Sequence, residues 1–134
     1  SGKNFGDVVT DAAAVYAKGN NRVSVTFWSA HPRTVQLRQR SGQLPADFSY
    51  LEVQRWNGSA WERYVTDSDP FTRFFWKRIG GGLSAQSQVT VDWDLDLAPP
   101  GSYRIVHRGV AKKFGLTGPA YQSFSGASRR FDVR

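Results

Sequence analysis

The chain has 134 residues, of which 40% are hydrophobic, 14% aromatic and 22% charged, and its net charge is +7 at pH 7. This composition argues against a disordered chain, and without a run of 18 apolar residues it predicts no membrane-spanning helix. The sequence contains no cysteine, which excludes thiol nucleophiles, disulfides and cysteine-ligated metals. We therefore expect a single globular domain over residues 1–134.

Apolar and polar residues alternate along most of the chain, which predicts β-strands. In chain order, the predicted strands are 22–30, 48–56, 60–66, 71–78, 89–97, 102–109 and 129–134. The segment 11–17 fits either a short helix capped by Thr10 or Asp11 or an early strand. Segments 31–47 and 109–120 are predicted to be long loops.

Turn residues between the strands define the fold class. Asn57-Gly58-Ser59 lies between Trp56 and Trp61, and an Asn-Gly pair between two strand-like segments predicts a hairpin. The same triplet fits a glycosylation acceptor, but the hairpin explains it fully. Tyr103 follows a Pro-Gly turn at the start of a late strand, which favours a tyrosine corner over an ordinary core tyrosine. Seven or so short strands with turns between them predict an all-β, immunoglobulin-like antiparallel β-sandwich.

The sequence contains no recognisable catalytic motif. Its two histidines, His31 and His107, lie far apart and neither belongs to a metal-ligand motif. His107 is in phase with Tyr103 and Ile105, so we expect it to be a core or interface residue rather than a catalytic base. We therefore expect this chain to be non-catalytic.

An acidic segment between two predicted strands is a candidate cation site. Asp67, Asp69 and Thr72 supply oxygen atoms, which calcium and magnesium prefer as ligands. Acidic turns are also common because Asp and Ser side chains satisfy turn backbone groups, so a plain turn is the alternative.

Positive charge is concentrated near the C-terminus, where residues 101–134 hold seven basic side chains against Asp132 alone. Such a segment attracts anionic surfaces such as phospholipid headgroups, and the alternative is an ordinary solvated face. The candidate contact residues are Lys112, Lys113, Arg129 and Arg130. Because the charges form no polybasic block or RNA-binding signature, we expect no nucleic-acid partner.

The order and spacing of several segments resemble the C-terminal domain of neutral, non-lysosomal ceramidases over nearly the whole chain. The segments are 4–11 (NFGDVVTD), 23–33 (VSVTFWSAHPR), 50–54 (YLEVQ), Asp67 with 72–76 (TRFFW), 100–105 (PGSYRI) with 107–109 (HRG), and 124–128 (FSGAS) with 131–133 (FDV).

The resemblance implies a non-catalytic module of a larger enzyme. Enzymes of this family hydrolyse ceramide to sphingosine and a fatty acid with a zinc ion held in an N-terminal domain, which would be the partner of this chain. The chain itself would hold no zinc, but Asp67, Asp69 and Thr72 would help to hold a calcium or magnesium ion at the domain junction. The resemblance further implies a secreted protein, on the extracellular or periplasmic side.

Two roles are compatible with such a module. It would brace the catalytic domain through an apolar surface, for which the candidates are Trp28, Phe74, Phe75 and Trp76, or it would bring the enzyme to an anionic membrane surface. Without the resemblance, the chain fits a stand-alone carbohydrate-binding or adhesion sandwich in which Trp56, Trp61 and Trp76 stack on a sugar or a partner protein.

Overall fold

A computed structural model describes residues 4–30, 48–79, 86–115 and 118–134, with side chains for all of these except 112–119. The described residues form ten β-strands and no helix. The strands are β1 (Val8–Thr10), β2 (Val15–Tyr16), β3 (Arg22–Ser29), β4 (Leu51–Trp56), β5 (Trp61–Thr66), β6 (Thr72–Arg78), β7 (Ser87–Asp94), β8 (Gly101–Gly115), β9 (Gly118–Ala127) and β10 (Phe131–Val133).

The strands form two sheets. Sheet A has the order β1-β3-β7-β6, and sheet B has the order β2-β10-β8-β4-β5, with β9 paired to β8. All pairs are antiparallel except the short pair of β10 with β2. The predicted all-β sandwich is confirmed, with ten strands instead of about seven; each of the seven predicted strands is present, and β1, β2 and β9 are additional.

The core forms where the inward faces of the sheets meet, because the period-2 pattern of each strand points its apolar side chains to the same side. In sheet A, Val25 of β3 is paired with Val91 of β7, and in sheet B, Val53 of β4 is paired with Ile105 of β8. All four side chains are fully buried.

Within the segment 11–17, Val15–Tyr16 form a short strand and no residue is helical, which decides between the two alternatives that the sequence left open. Val15 and Tyr16 pair in parallel with Asp132 and Val133 of β10. The backbone N–H of Asp132 donates to the carbonyl oxygen of Ala14 at 2.9 Å. Pairing with the C-terminal strand therefore determines the conformation.

The loop predicted at 109–120 is wrong, because most of this segment belongs to a long hairpin of β8 and β9. The two strands are in register from Val106↔Ala127 to Gly115↔Gly118. The prediction failed because lysines and glycines interrupt the apolar alternation of the segment, although Val110 and Ala111 at its start are buried. Gly109 makes the pairing possible, since a β-carbon there would overlap the Phe124 ring. The other predicted loop, 31–47, lies outside the described residues.

The Asn-Gly hairpin is confirmed. Strands β4 and β5 are antiparallel, with Trp56 opposite Trp61. Gly58 has φ +100°, a conformation that glycine adopts readily. The Asn57 side-chain oxygen accepts hydrogen bonds from the N–H groups of Ser59 and Ala60, each at 2.8 Å, which holds the turn.

Candidate functional site

The acidic turn connects β5 of sheet B to β6 of sheet A. Asp67 Oδ2 accepts a hydrogen bond from Tyr50 N at 3.2 Å, and Asp69 Oδ1 accepts one from Phe71 N at 2.8 Å. The Thr72 hydroxyl donates to the carbonyl oxygens of Thr66 and Asp69, at 3.0 and 2.8 Å. In the described part of the chain, the second oxygen of each carboxylate has no hydrogen-bond partner, so the turn offers two oxygens to a further ligand.

The negative charge of this turn acts on a neighbouring phenol. Burial first, and then the charge of Asp67, raises the pKa of Tyr50 to about 12. Tyr50 therefore stays neutral at any physiological pH, and its ring packs edge-on against Trp76, with centroids 5.1 Å apart.

The four aromatic residues proposed for an interface divide between two faces of sheet A. Phe74 pairs with Val91 and Trp76 with Val89, so both point toward the core side, where Trp76 Nε1 donates to the Ala30 carbonyl oxygen at 3.2 Å. Phe75 pairs with Thr90 and Trp28 with Gln88, so both point outward. Phe75 is 54% exposed and Phe74 is also exposed, whereas Trp28 and Trp76 are partly buried.

β5 is the edge strand of sheet B and β6 is the edge strand of sheet A, and the acidic turn connects them. We use the name β5–β6 edge for the apolar side chains of this region, which are Tyr64, Phe71 and Leu97 at the groove and Phe74 and Phe75 on the two faces of β6. A groove of about 220 Å³ there is lined by Tyr64, Phe71 and Leu97, with Trp93 and Asp69 among its other lining residues. Leu97 is 73% exposed, the most exposed large apolar side chain in the described part of the chain. The groove therefore brings apolar side chains next to Asp69 of the acidic turn.

Tyr103 lies at the start of β8, and its hydroxyl donates to the carbonyl oxygen of Pro99 at 2.6 Å, as in a tyrosine corner. The ring is fully buried and packs on Trp93, with centroids 4.9 Å apart. Burial raises the pKa of Tyr103, which keeps the hydroxyl protonated as a donor.

His107 is fully buried among aromatic rings, including those of Phe27, Trp76 and Phe124. Burial lowers its pKa to about 4, although the bond to the Tyr50 carbonyl acts in the opposite direction. A neutral imidazole inside an aromatic core has no access to a substrate, so its role is structural.

The basic residues proposed for an anionic surface have different surroundings. Arg129 and Arg130 are exposed, and Arg130 Nη2 donates to Ser102 Oγ at 2.9 Å. Lys112 and Lys113 are paired with Tyr121 and Ala120 in the β8–β9 hairpin, and their side chains lie outside the described set.

A polar network on the outer face of sheet B was missed by the sequence analysis. Glu52 is only 3% exposed and accepts hydrogen bonds from Arg63 Nε at 2.7 Å and Arg108 Nη2 at 3.1 Å. Gln54 joins it, donating to Glu52 Oε1 at 2.5 Å and accepting from Arg104 Nε at 2.6 Å. Burial alone would raise the pKa of Glu52, but the hydrogen bonds from Arg108, Gln54 and Arg63 lower it. The even spacing of Arg104 and Arg108 predicts that both lie on the same face of one strand, and this is the sequence signal that could have revealed the network.

Two of the tryptophans proposed as sugar platforms already contact arginine. The rings of Trp56 and Trp61 meet edge-on with centroids 5.4 Å apart. The Arg104 guanidinium lies 4.6 Å from the centre of the Trp61 ring, and that of Arg130 lies 5.9 Å from the Trp56 ring. These contacts are cation–π stacks, which occupy ring area that a sugar would need.

The part of the chain that the structure describes holds no cluster of zinc ligands. Among the described residues, no three His, Cys, Asp or Glu side chains are grouped so that they could hold a metal ion. Likewise, no helix in that part of the chain is long and apolar enough to cross a membrane.

Known proteins place the chain in a family. Residues 1–133 match the family described as neutral/alkaline non-lysosomal ceramidase, C-terminal. The chain is 38% identical to neutral ceramidase 1 of Arabidopsis thaliana, covering 99% of the chain and 16% of that protein. It is also 38% identical to the neutral ceramidase of Mycobacterium tuberculosis, covering 96% of the chain and 18% of that protein.

The fold agrees with this assignment. The crystal structure of neutral ceramidase from Pseudomonas aeruginosa superposes with a TM-score of 0.80 at 30% identity, covering 99% of this chain and 20% of that one. The chain thus spans about a fifth or less of these relatives, and the match lies in the part described as C-terminal. The chain belongs to the C-terminal domain family of the neutral/alkaline non-lysosomal ceramidases.

Proposed function

We propose that this chain is the non-catalytic C-terminal module of a neutral ceramidase and braces the catalytic domain of the same polypeptide. In this proposal the catalytic domain carries zinc and hydrolyses ceramide to sphingosine and a fatty acid. The family assignment supports a larger parent protein, since the chain covers only 16% and 18% of two relatives.

The β5–β6 edge is the proposed docking surface, and the observation that carries the proposal is its exposed apolar area. Phe75 is 54% and Leu97 73% exposed, and Leu97 lines the groove beside Tyr64 and Phe71. A monomeric protein rarely leaves large apolar groups together in solvent without using them, so a covering surface is expected. We assign the catalytic domain as the partner that covers this surface, because in this proposal it belongs to the same polypeptide.

A cation at the junction would strengthen the docking. The second carboxylate oxygens of Asp67 and Asp69 provide two ligands, and calcium takes six to eight oxygens, so the catalytic domain must supply the others. We therefore expect calcium to bind the docked pair of domains more tightly than this chain alone.

The experiment is to measure ceramide hydrolysis and domain association after mixing this chain with the separately expressed catalytic domain. We expect activity or thermal stability of the catalytic domain to rise on mixing. Phe75→Asp and Leu97→Asp should each weaken association at least tenfold. Val9→Asp is the matched control, because Val9 is exposed on β1, at the opposite edge of sheet A, and should leave association unchanged.

The cation is tested in the same assay by titration with calcium. Asp67→Asn should abolish the effect of calcium on association, whereas Asp132→Asn, on β10, should preserve it. Association that is indifferent to both edge variants would contradict the docking surface. A calcium response unchanged by Asp67→Asn would contradict only the cation.

A further inference from the structure

The turn that joins β4 to β5 holds the side-chain amide of Asn57 in a polarised state. Asn57 Oδ1 accepts hydrogen bonds from Ser59 N and Ala60 N, each at 2.8 Å. Two N–H donors on one carbonyl oxygen draw electron density away from the attached carbon, Cγ, and stabilise negative charge that develops on the oxygen. The Cγ atom of Asn57 is therefore prepared for attack by a nucleophile.

The next backbone nitrogen along the chain, that of Gly58, is available as the nucleophile. In the described part of the chain, no hydrogen bond engages the Gly58 N–H. Gly58 is exposed and has no side chain to shield this nitrogen. A bond between Gly58 N and Asn57 Cγ closes a five-membered ring, and reacting groups that one residue holds together in this way react far faster than separate molecules.

A carboxyl group contacts the nitrogen that would leave. Asn57 Nδ2 donates a hydrogen bond to Glu62 Oε1 at 2.7 Å. An amide nitrogen leaves as ammonia only after it has gained a proton, and a carboxyl group within hydrogen-bond distance can deliver that proton. The turn therefore holds a nucleophile, a polarised carbonyl group and a proton donor together, next to the pair of Trp56 with Trp61.

We propose that Asn57 is a modification site at which the folded turn promotes intramolecular deamidation. Gly58 N forms a bond to Asn57 Cγ and loses its proton to water. The bond between Cγ and Nδ2 breaks, and Nδ2 takes a proton through the Glu62 carboxyl group and leaves as ammonia. The product is a cyclic imide. Water then adds to one of the two imide carbonyl carbons and opens the ring, which leaves either an aspartate or an isoaspartate.

The modification changes the hairpin. The aspartate product has an oxygen in place of the Nδ2 donor, so two carboxylates face each other where Asn57 now bonds to Glu62. Isoaspartate adds a carbon to the main chain directly after Trp56, which disturbs the register of Trp56 with Trp61. Both products therefore loosen the pairing of β4 with β5 as the protein ages. The reaction does not depend on docking at the β5–β6 edge.

The first experiment incubates the folded chain at neutral pH and measures deamidation by peptide mass spectrometry, while a carboxyl methyltransferase specific for isoaspartate quantifies that product. We expect Asn57 to react at least tenfold faster than Asn21, with isoaspartate among its products. Asn21 is the internal control, because it is also exposed but the N–H of Arg22, which follows it, already donates to Asn21 Oδ1 at 2.9 Å. Equal rates at the two asparagines would overturn the proposal.

The second experiment separates the contribution of the fold from that of the Asn-Gly sequence. The same chain is incubated at the same pH in enough urea to unfold it, which removes the contacts of the turn and keeps the sequence. We expect Asn57 to react at least as fast in the folded chain as in urea. A slower reaction in the folded chain would overturn the proposal, because it would show that the turn protects Asn57.

Glu62→Gln tests the proton donor. Glutamine keeps an oxygen that accepts from Asn57 Nδ2, so the turn should be retained, and the indole resonances of the two hairpin tryptophans check that it is. We expect this variant to slow deamidation at Asn57 at least threefold. Asp96→Asn is the matched control, because it removes the same charge from an exposed residue near Arg22 of sheet A; it should change the rate less than twofold. Equal rates at Asn57 in the two variants would overturn the proposed proton transfer.

Discussion

The hydroxyl of Ser29 and the imidazole of His107 meet across the sandwich, with Oγ 2.8 Å from Nε2. Ser29 ends β3 of sheet A, whereas His107 lies on β8 of sheet B. His107 Nδ1 lies 2.8 Å from the Tyr50 carbonyl oxygen, which can only accept, so Nδ1 carries the proton and Nε2 accepts from Ser29. While the imidazole is neutral, the Ser29 hydroxyl is therefore the donor in this bond between the two sheets.

This relationship predicts a pH dependence of stability. The pKa of His107 is 6.5 in the unfolded chain and about 4 in the folded one, so only the unfolded state binds the proton between these values. The free energy of unfolding should be constant above pH 6.5, fall as the pH drops below 6.5, and stop falling from this cause near pH 4. The total loss should be roughly 3 kcal/mol.

Urea unfolding at several pH values checks this prediction against His107→Gln, which keeps a neutral polar group and cannot titrate. The difference in unfolding free energy between wild type and variant should shrink as the pH falls from 6.5 to 4. A difference that stays constant over this range would show that His107 titrates normally.

Glu52 predicts a second stability effect. Glu52→Gln removes the charge that Arg63 and Arg108 share and leaves two guanidinium groups close together on sheet B. Breaking a buried pair in this way should destabilise the fold by about 3 kcal/mol. Asp132→Asn is the control, because Asp132 is partly exposed and 3.9 Å from Arg130; it should cost less than about 1 kcal/mol. Equal losses in urea unfolding at pH 7 would contradict the prediction.

Most of the fold could be predicted from the sequence because its strands bury one face. The pattern at 89–97 predicts β7, and the Asn57-Gly58 turn predicts the pairing of β4 with β5, since both signals are local. β9 was not predicted because its sequence shows no regular apolar alternation. Its register with β8 depends on backbone hydrogen bonds and on the close approach of Gly109 to Phe124, and neither can be recognised from such a pattern. β2 exists only through pairing with β10, at the other end of the chain.

The candidate surfaces were less predictable. The acidic turn is contiguous in sequence, so its residues could be identified. The polar network around Glu52 draws residues from β4, β5 and β8, so only the sheet register brings Glu52, Arg63 and Arg108 together. Side chains alternate between the two faces of a strand, so the sequence of β6 predicts that Phe74 and Phe75 lie on opposite faces. The position of β6 at the exposed edge of its sheet depends on the strand order, which cannot be predicted from the sequence pattern.

The contact between Gly6 and Gly126 predicts a steric effect. A β-carbon on Gly126 would overlap the carbonyl oxygen of Gly6, and one on Gly6 would overlap that of Ser125. Gly126→Ala should therefore push the N-terminal segment off β9 and cost about 3 kcal/mol or more. Gly19→Ala is the control, because Gly19 has φ +95° but no atom near its added β-carbon; it should cost only about 1 to 2 kcal/mol.

Thermal unfolding of the two glycine variants gives the comparison. Gly126→Ala should show the larger fall in melting temperature, together with loss of hydrogen-exchange protection at Gly6 and Trp28, whose N–H groups donate to the carbonyl oxygens of Trp28 and Asp7 respectively. Equal falls in both variants would mean that backbone strain, and not the close approach, determines the cost.

Tyr103 predicts how much the bond to Pro99 contributes. Tyr103→Phe deletes the hydroxyl that donates at 2.6 Å and keeps the ring contacts with Trp93 and Phe131. Pro99 is only partly buried, so we expect water to replace the donor and the loss in unfolding free energy to be about 1 kcal/mol. Tyr64→Phe is the control, because that side chain is exposed and should lose little. If urea unfolding showed equal losses in both variants, the bond between Tyr103 and Pro99 would contribute no specific stability, and the buried ring alone would account for the role of Tyr103.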